Sequence, residues 1–525
     1  MENLGNLILK NTVANYVYLA VRMLTAILLV RITFLGLGQD YYGYWSLLWA
    51  VFGYSLLLDF GFGQTVQKYT AEATFSGDME KYSRILSTVL GSYLIMTFII
   101  ICGTIGSAFF IDKIFVLKNE TSPDYYRNVF IIFGIGVALV FPSGIFPEVL
   151  VGMKKIYLRN YVLIGTKILE LAGIYLCFKL GGSLLALAIF VAAINLCTNI
   201  IMACIVFTLI PGLKLSFKYF RMKNFREIAD FSIFSYLVTI ANMIIFKADR
   251  IVIGIMVGMG GVGVYQLGTR LPEIQQTLTT QFEENLSPIA ASLHKAGDQL
   301  KIQEVMLNST RITSFLTTCV FVVLMLMAEP VLYVWLNITS ATSRDVITIS
   351  YIMIISAFVM VTFRSTGHHF LLMAGKHRLV AGIAISESIV NLALSIALIK
   401  YYGVVGVAIG TLLPNIVVSI FLIFPLAVRF VKQSVLTYIF KVYIPIFLIS
   451  IPTALFLWWI NSVFHIKDWN LLLLAVIGPA AGLIFLVTGW TFYVSKDEKT
   501  ILLNMLRSNA FFRKLVPSPD PDILE

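Results

Sequence analysis

The sequence predicts an all-α polytopic membrane protein of about fourteen transmembrane helices, arranged as two pseudo-symmetric six-helix bundles plus two extra C-terminal helices. Three observations predict it. Of 525 residues, 58% are hydrophobic and only 13% charged, with a mean hydropathy of +0.87; a soluble domain carries about a quarter charged residues. About two-thirds of the chain falls in apolar stretches of roughly 20–28 residues, the length that crosses a hydrocarbon core of about 30 Å. Finally, local patterns recur at one fixed offset of 220 residues.

The spans run roughly over 12–36, 43–62, 85–110, 127–150, 160–180, 183–209, 228–257, 263–289, 307–336, 346–374, 379–400, 404–428, 442–462 and 470–494. The first is too long for the apolar core of a cleaved signal peptide, so it is expected to remain as a helix. Cys102, Cys177, Cys197, Cys204 and Cys319 all lie in apolar runs without CxxC or Cys/His spacing, which argues against disulfides and zinc.

Basic residues orient the spans. With a cytoplasmic N-terminus, the inner segments collect 25 lysines and arginines, Lys154, Lys155, Arg159, Lys214, Lys376, Arg378 and Arg429 among them, against seven outside. This asymmetry places both termini in the cytoplasm and accounts for the net charge of +11 without a nucleic-acid partner.

The repeat gives the domains. Gly38 and Gly43 correspond to Gly258 and Gly263, Gly77-Asp78 to Gly297-Asp298, and Leu187-Ala188-Ile189 to Val407-Ala408-Ile409. Six spans separate the copies, an even number, so the two bundles run parallel. The expected divisions are a first bundle at 1–210, a basic linker at 211–227, a second bundle at 228–428, accessory helices at 429–494 and a cytoplasmic tail at 495–525. In the linker, Leu213, Leu215 and Phe217 alternate with Lys214, Ser216 and Lys218, which suits the anionic inner leaflet as well as plain positive-inside topology.

A charge at the bilayer centre costs about 2.5–3.5 kcal/mol even on lenient scales. Lys167 and Glu170, three apart, are read as a structural pair, and Arg270 with Glu273 has the same spacing. Arg31 lies near enough to the outer surface to snorkel. Arg22, Lys247 and Arg364 have no obvious local partner, and Lys247 shares a helix face with Arg250. Arg22, Lys247, Arg250, Arg364 and Arg270 are therefore candidates to line a cationic, water-filled cavity; carboxylates across helix interfaces, Glu387 foremost, are the alternative. Asp59, in Asp59-Phe60-Gly61-Phe62-Gly63, suits a hinge or a plain helix stop. Asp59, Asp249 and Glu387 are candidates for coupling or gating. No P-loop and no catalytic constellation occurs, and the longest outer loop, about 111–126, is too short for a glycosyltransferase or ligase, so a transporter or scaffold and not an enzyme is expected.

The run Leu58-Asp59-Phe60-Gly61-Phe62-Gly63 followed by Ala71-Glu72 and Gly77-Asp78 resembles the second-span signature of bacterial polysaccharide flippases. Ala248-Asp249-Arg250-Ile251-Val252-Ile253-Gly254 with Gly263-Val264-Tyr265 resembles their seventh-span signature, and Leu35-Gly36-Leu37-Gly38 with Tyr42-Gly43 their first. These are the Wzx-type lipid-linked oligosaccharide flippases of the multidrug/oligosaccharidyl-lipid/polysaccharide exporter superfamily. The resemblance, over spans one to twelve, implies two bundles around a cavity that opens alternately to each side. It also implies an undecaprenyl-pyrophosphate-linked oligosaccharide as substrate, handed to an outer-face polymerase or ligase for surface polysaccharide such as O-antigen of lipopolysaccharide. Related lipid II flippases place first-span arginines in the cavity; Arg22 matches by position.

Arginine forks suit phosphate oxygens, and an inside-negative potential of 100 mV favours outward movement of two negative charges by about 4–5 kcal/mol. Voltage drive is the expected energy source, with proton or sodium antiport as the competing scheme and no bound cofactor. A multidrug exporter, or an exporter of another lipid-linked precursor such as lipid II or a teichoic acid, is the nearer alternative; its cations disfavour the first of these. A non-transporting scaffold of a glycan-assembly complex is the remoter one. The expected partners are the lipid-linked substrate and membrane lipids. A monomer suffices to complete the cavity.

Overall fold

The computed structural model describes residues 4–53, 62–76, 78–117, 122–216, 247–283, 299–337, 343–373, 375–494 and 499. The described chain is helical, and ten of its helices are long and apolar enough to cross a membrane, which makes this a multi-pass membrane protein. Two of the ten each hold two expected spans. The first helix, α1 (Leu4–Gly53), is broken at Gly38, and a later one (His377–Ile416) is broken at Gly403. The ten therefore carry spans one to six and nine to fourteen. Spans seven and eight are described only from 247 and as far as 283. Asp59, most of the linker at 211–227 and the tail from 500 lie outside the described residues.

The chain forms two compact units. The first comprises Met1–Thr269, Ser340–Ile349 and His377–Pro414. After α1 it contains α2 (Phe62–Ser76), α3 (Met79–Ala108), α4 (Pro123–Val140), α5 (Ile145–Gly152), α6 (Ile156–Lys179), α7 (Leu184–Leu209), a helix over 247–256 (α8) and α9 (Met259–Gly268). Local chemistry starts these helices. Asp78, Ser122 and Ser183 cap α3, α4 and α7 by accepting from the amides of Lys81, Tyr125 and Ala186. Asn11 does the same for α6 from a distance: its side chain donates to the Lys154 carbonyl at 2.8 Å and accepts from the Tyr157 amide at 3.0 Å. Asn160 then donates to Asn15, joining α6 to α1 one turn further on. Phe62, Val66, Leu86, Val89, Ile145, Val149, Met202 and Val206 fill the core shared by α2, α3, α5 and α7. Lys167 and Glu170 pair at 2.6 Å on α6, in line with their spacing.

The repeat acquires a structural meaning at α1 and α9. Gly38 (φ 73°, ψ 176°) and Gly258 (φ 111°, ψ −177°), 220 residues apart, take a backbone conformation open essentially to glycine alone. Each break starts a new helix, and the two new helices cross. A side chain at Gly43 would run into the Met259 carbonyl, and one at Gly263 would come 2.5 Å from the Gln39 carbonyl. The 220 offset turns one of these contacts into the other. Gln39 Nε2 also donates to the Gly260 carbonyl at 3.2 Å.

The second unit comprises Arg270–Thr339, Ser350–Lys376 and Asn415–Glu525. Its helices are α10 (Arg270–Glu283), α11 (Gln299–Leu336), the inner part of α12 (Ser343–Val359), α13 (Thr366–Met373), α14 (Phe424–Phe430), α15 (Ile444–Val463) and α16 (Leu471–Phe492). π-Helical turns occupy Met360–Ser365, Val417–Ile423 and Ile439–Tyr443. The last two lead directly into Pro425 and Pro445, whose rings clash with an ordinary preceding turn and lack an amide to close it. The first has no proline and carries Arg364.

The accessory helices α15 and α16 pack on α11 through Met327, Leu457, Ile460, Ile477 and Ala481. Pro330 deprives the Leu326 carbonyl of its helical donor, and Asn461 of α15 supplies one at 2.8 Å. At the other end Arg311 donates to the Tyr493 carbonyl at 2.8 Å and stacks over that ring.

Candidate functional site

The candidate cations are placed differently. Arg22 is exposed, about half-way along the first arm of α1, and has no ion-pair partner among the described residues. Lys247 and Arg250 stand half-buried on α8, and the Lys247 side chain passes over Gly53 of α1, at a point that a methyl group there would occupy. Arg364 is only 8% exposed, inside the first π-turn of the second unit, between Thr362 and Thr366. Arg270 donates to Glu273 at 2.8 Å, the pairing that their spacing allows.

Asp249 is held from outside α8. It is 3% exposed and accepts hydrogen bonds from Tyr265 Oη of α9 and, at 3.0 Å, from Thr411 Oγ1. Thr411 also accepts from Asn391 Nδ2 at 3.1 Å. Glu387, Asn391 and Ser395 follow one another at intervals of four on the arm before Gly403, so they share its face, and all three are buried. One carboxylate, two hydroxyls and an amide N–H group thus meet in a water-poor setting within the first unit. An unneutralised carboxylate in such a setting is costly.

Sequence reasoning singled out Asp249 and Glu387 but missed Tyr265, Thr411, Asn391 and Ser395. The detectable signal was a set of polar residues recurring at helical spacing in apolar spans; which spans would meet was not detectable. Asp249 and Arg250, adjacent on α8, point about 100° apart, and the carboxylate is held from α9 and from Thr411.

Comparisons with known proteins agree with this architecture. The family model described as polysaccharide biosynthesis protein matches residues 153–339. The chain is similar to the uncharacterized membrane protein EpsK of Bacillus subtilis (strain 168), at 19% identity covering 90% of this chain and 92% of that one. Among solved structures it is similar to the lipid II flippase MurJ in an inward closed conformation (17% identity, 90% of this chain and 97% of that one, TM-score 0.68). It is likewise similar to an inward-facing multidrug resistance MATE family transporter of the MOP superfamily (15% identity, 79% and 98%, TM-score 0.67). The fold is that of these transporters, and the family match supports the polysaccharide-flippase resemblance read from the residues.

Proposed function

We propose that this protein, a multi-pass membrane protein with a MurJ- and MATE-like fold and a polysaccharide-biosynthesis family match, is a flippase for a lipid-linked oligosaccharide. It moves an undecaprenyl-pyrophosphate-linked glycan from the inner to the outer leaflet by alternating access, and delivers it for assembly of surface polysaccharide. The observation that carries the reading is Arg22: a guanidinium exposed half-way along an apolar helix is too costly to keep in contact with lipid and suits an anionic head passing through water. Arg364, Lys247 and Arg250 would meet the same headgroup at other stages of its passage, while Arg270 spends its charge on Glu273.

Voltage favours outward movement of the anionic head. The cluster around Asp249 supports, in addition, coupling to an inward-moving proton or sodium ion, which is cargo and not a resident cofactor. The test is flux of a fluorescent undecaprenyl-pyrophosphate oligosaccharide in proteoliposomes, with and without an imposed potential. Wild-type flux that rises with an inside-negative potential and falls at least tenfold in Arg22→Ala and in Arg364→Ala supports the reading. Absence of flux, with uptake of a cationic dye in its place, overturns it in favour of drug export.

A further inference from the structure

The first unit contains a cavity of about 460 Å³, set among the second arm of α1, the start of α2, and helices α3, α4, α5 and α7. Its aromatic walls are Trp49 against Phe133, ring centres 5.1 Å apart, and Tyr93 against Phe141 at 4.9 Å. Trp49 is 44% exposed, whereas Leu47, Leu48 and Ala50 around it are buried. Polar groups are few: Glu148, hydrogen-bonded by Gln67 Nε2 at 2.5 Å, and the amide of Asn195. Glycine keeps one wall open, since a Cβ added at Gly144 would meet nothing within 4 Å. None of these residues belongs to the set of cations or to the Asp249 cluster.

We infer that this cavity is a subsite for one neutral or amino-bearing sugar ring of the transported headgroup. The inference rests on the flippase reading and extends it to the glycan. The argument is by chemistry. Among the described residues Glu148 is the one charge in the lining, and it repels phosphate, so the pyrophosphate is not the occupant. A sugar ring presents C–H groups on its faces, which suit the electron-rich faces of Trp49 and Tyr93, and hydroxyls on its rim, which suit a carboxylate and an amide. The volume lies in the lower part of the ~300–1,000 Å³ range of sites that enclose small organic molecules, enough for a ring and too little for a whole oligosaccharide. Buried hydrogen-bonding groups discriminate by what they leave unpaired, so this subsite would read the identity of a sugar while the cations read only the pyrophosphate.

The test plugs the cavity without disturbing its frame. Gly144 has helical backbone angles (φ −60°, ψ −14°) and open space before it, so Gly144→Leu folds normally, checked by thermal unfolding. In proteoliposomes this variant is expected to lower flux of the lipid-linked oligosaccharide at least tenfold while leaving sugar-free undecaprenyl pyrophosphate within twofold of wild type. In detergent, the free oligosaccharide without its lipid is expected to quench tryptophan fluorescence of wild type, less so after Trp49→Phe, and to bind at least tenfold more weakly after Glu148→Gln. Equal effects of Gly144→Leu on both lipids, or none on either, overturn the subsite and leave the flippase reading standing. Loss of all lipid flux in wild type overturns the flippase reading, and the fluorescence arm then decides the subsite alone: binding of an organic cation in place of the sugar overturns it.

Discussion

Asp249 shows how one residue can be found in the sequence while its surroundings stay hidden. A lone acid in an apolar span is conspicuous, but its partners come from residues 16 and 162 positions away, Tyr265 and Thr411, and no local pattern announces them. Asp249→Asn keeps an oxygen to accept from both and removes the charge. The expected result is a variant of unchanged or higher melting temperature whose flux no longer responds to a proton or sodium gradient, measured in proteoliposomes with each gradient imposed separately. Thr313 and Thr317 give a second prediction. Both are buried on α11, 1% and 0% exposed, and their hydroxyls have no protein partner among the described residues, unlike Thr310, which donates to the Met306 carbonyl at 2.8 Å. An orphaned hydroxyl costs about 1–3 kcal/mol. Thr317→Val should therefore raise the melting temperature, whereas Thr310→Val should leave it unchanged or lower it.

The helices themselves were legible from length and hydropathy, and their breaks less so. Gly38 and Gly258 stood out as a repeated motif, yet only the backbone shows that both take φ/ψ combinations open essentially to glycine, and that Gly43 and Gly263 beyond them are crossing points. These roles separate by mutation. Gly38→Ala meets open space and pays only for the backbone, about 1–3 kcal/mol. Gly43→Ala has an allowed backbone and must push α9 away, so its effect should appear as lost transport as well as lost stability. Gly103, inside α3 with open space around it, is the control: Gly103→Ala should stabilise by about 0.8–1.0 kcal/mol. Thermal unfolding with a parallel flux assay distinguishes the three. The π-turns were not legible, because widening a turn ahead of Pro425 or Pro445 leaves hydrophobic periodicity almost unchanged.

At the scale of the whole molecule, composition alone gave the class, and twelve of the fourteen expected spans are found within ten apolar helices. The asymmetry of basic residues predicts that a fluorescent protein fused to either terminus lights up in the cytoplasm, while a periplasm-dependent phosphatase at the same points stays inactive; the reverse pattern would invert the topology. Composition did not reveal how the halves are matched. The crossing at Gly43 and Gly263 is one contact made twice, with residue i of the first copy on residue j of the second and the reverse alongside. That is the rule of an isologous dimer interface, in which one surface complements itself about a two-fold axis. A single half-length chain carrying this glycine face could pair with its own twin through it, so joining two such chains end to end would require no new contact here, only a linker. Once joined, the two copies are free to differ: by the 220 offset Gln39 now corresponds to Met259, and Asp40 to Gly260.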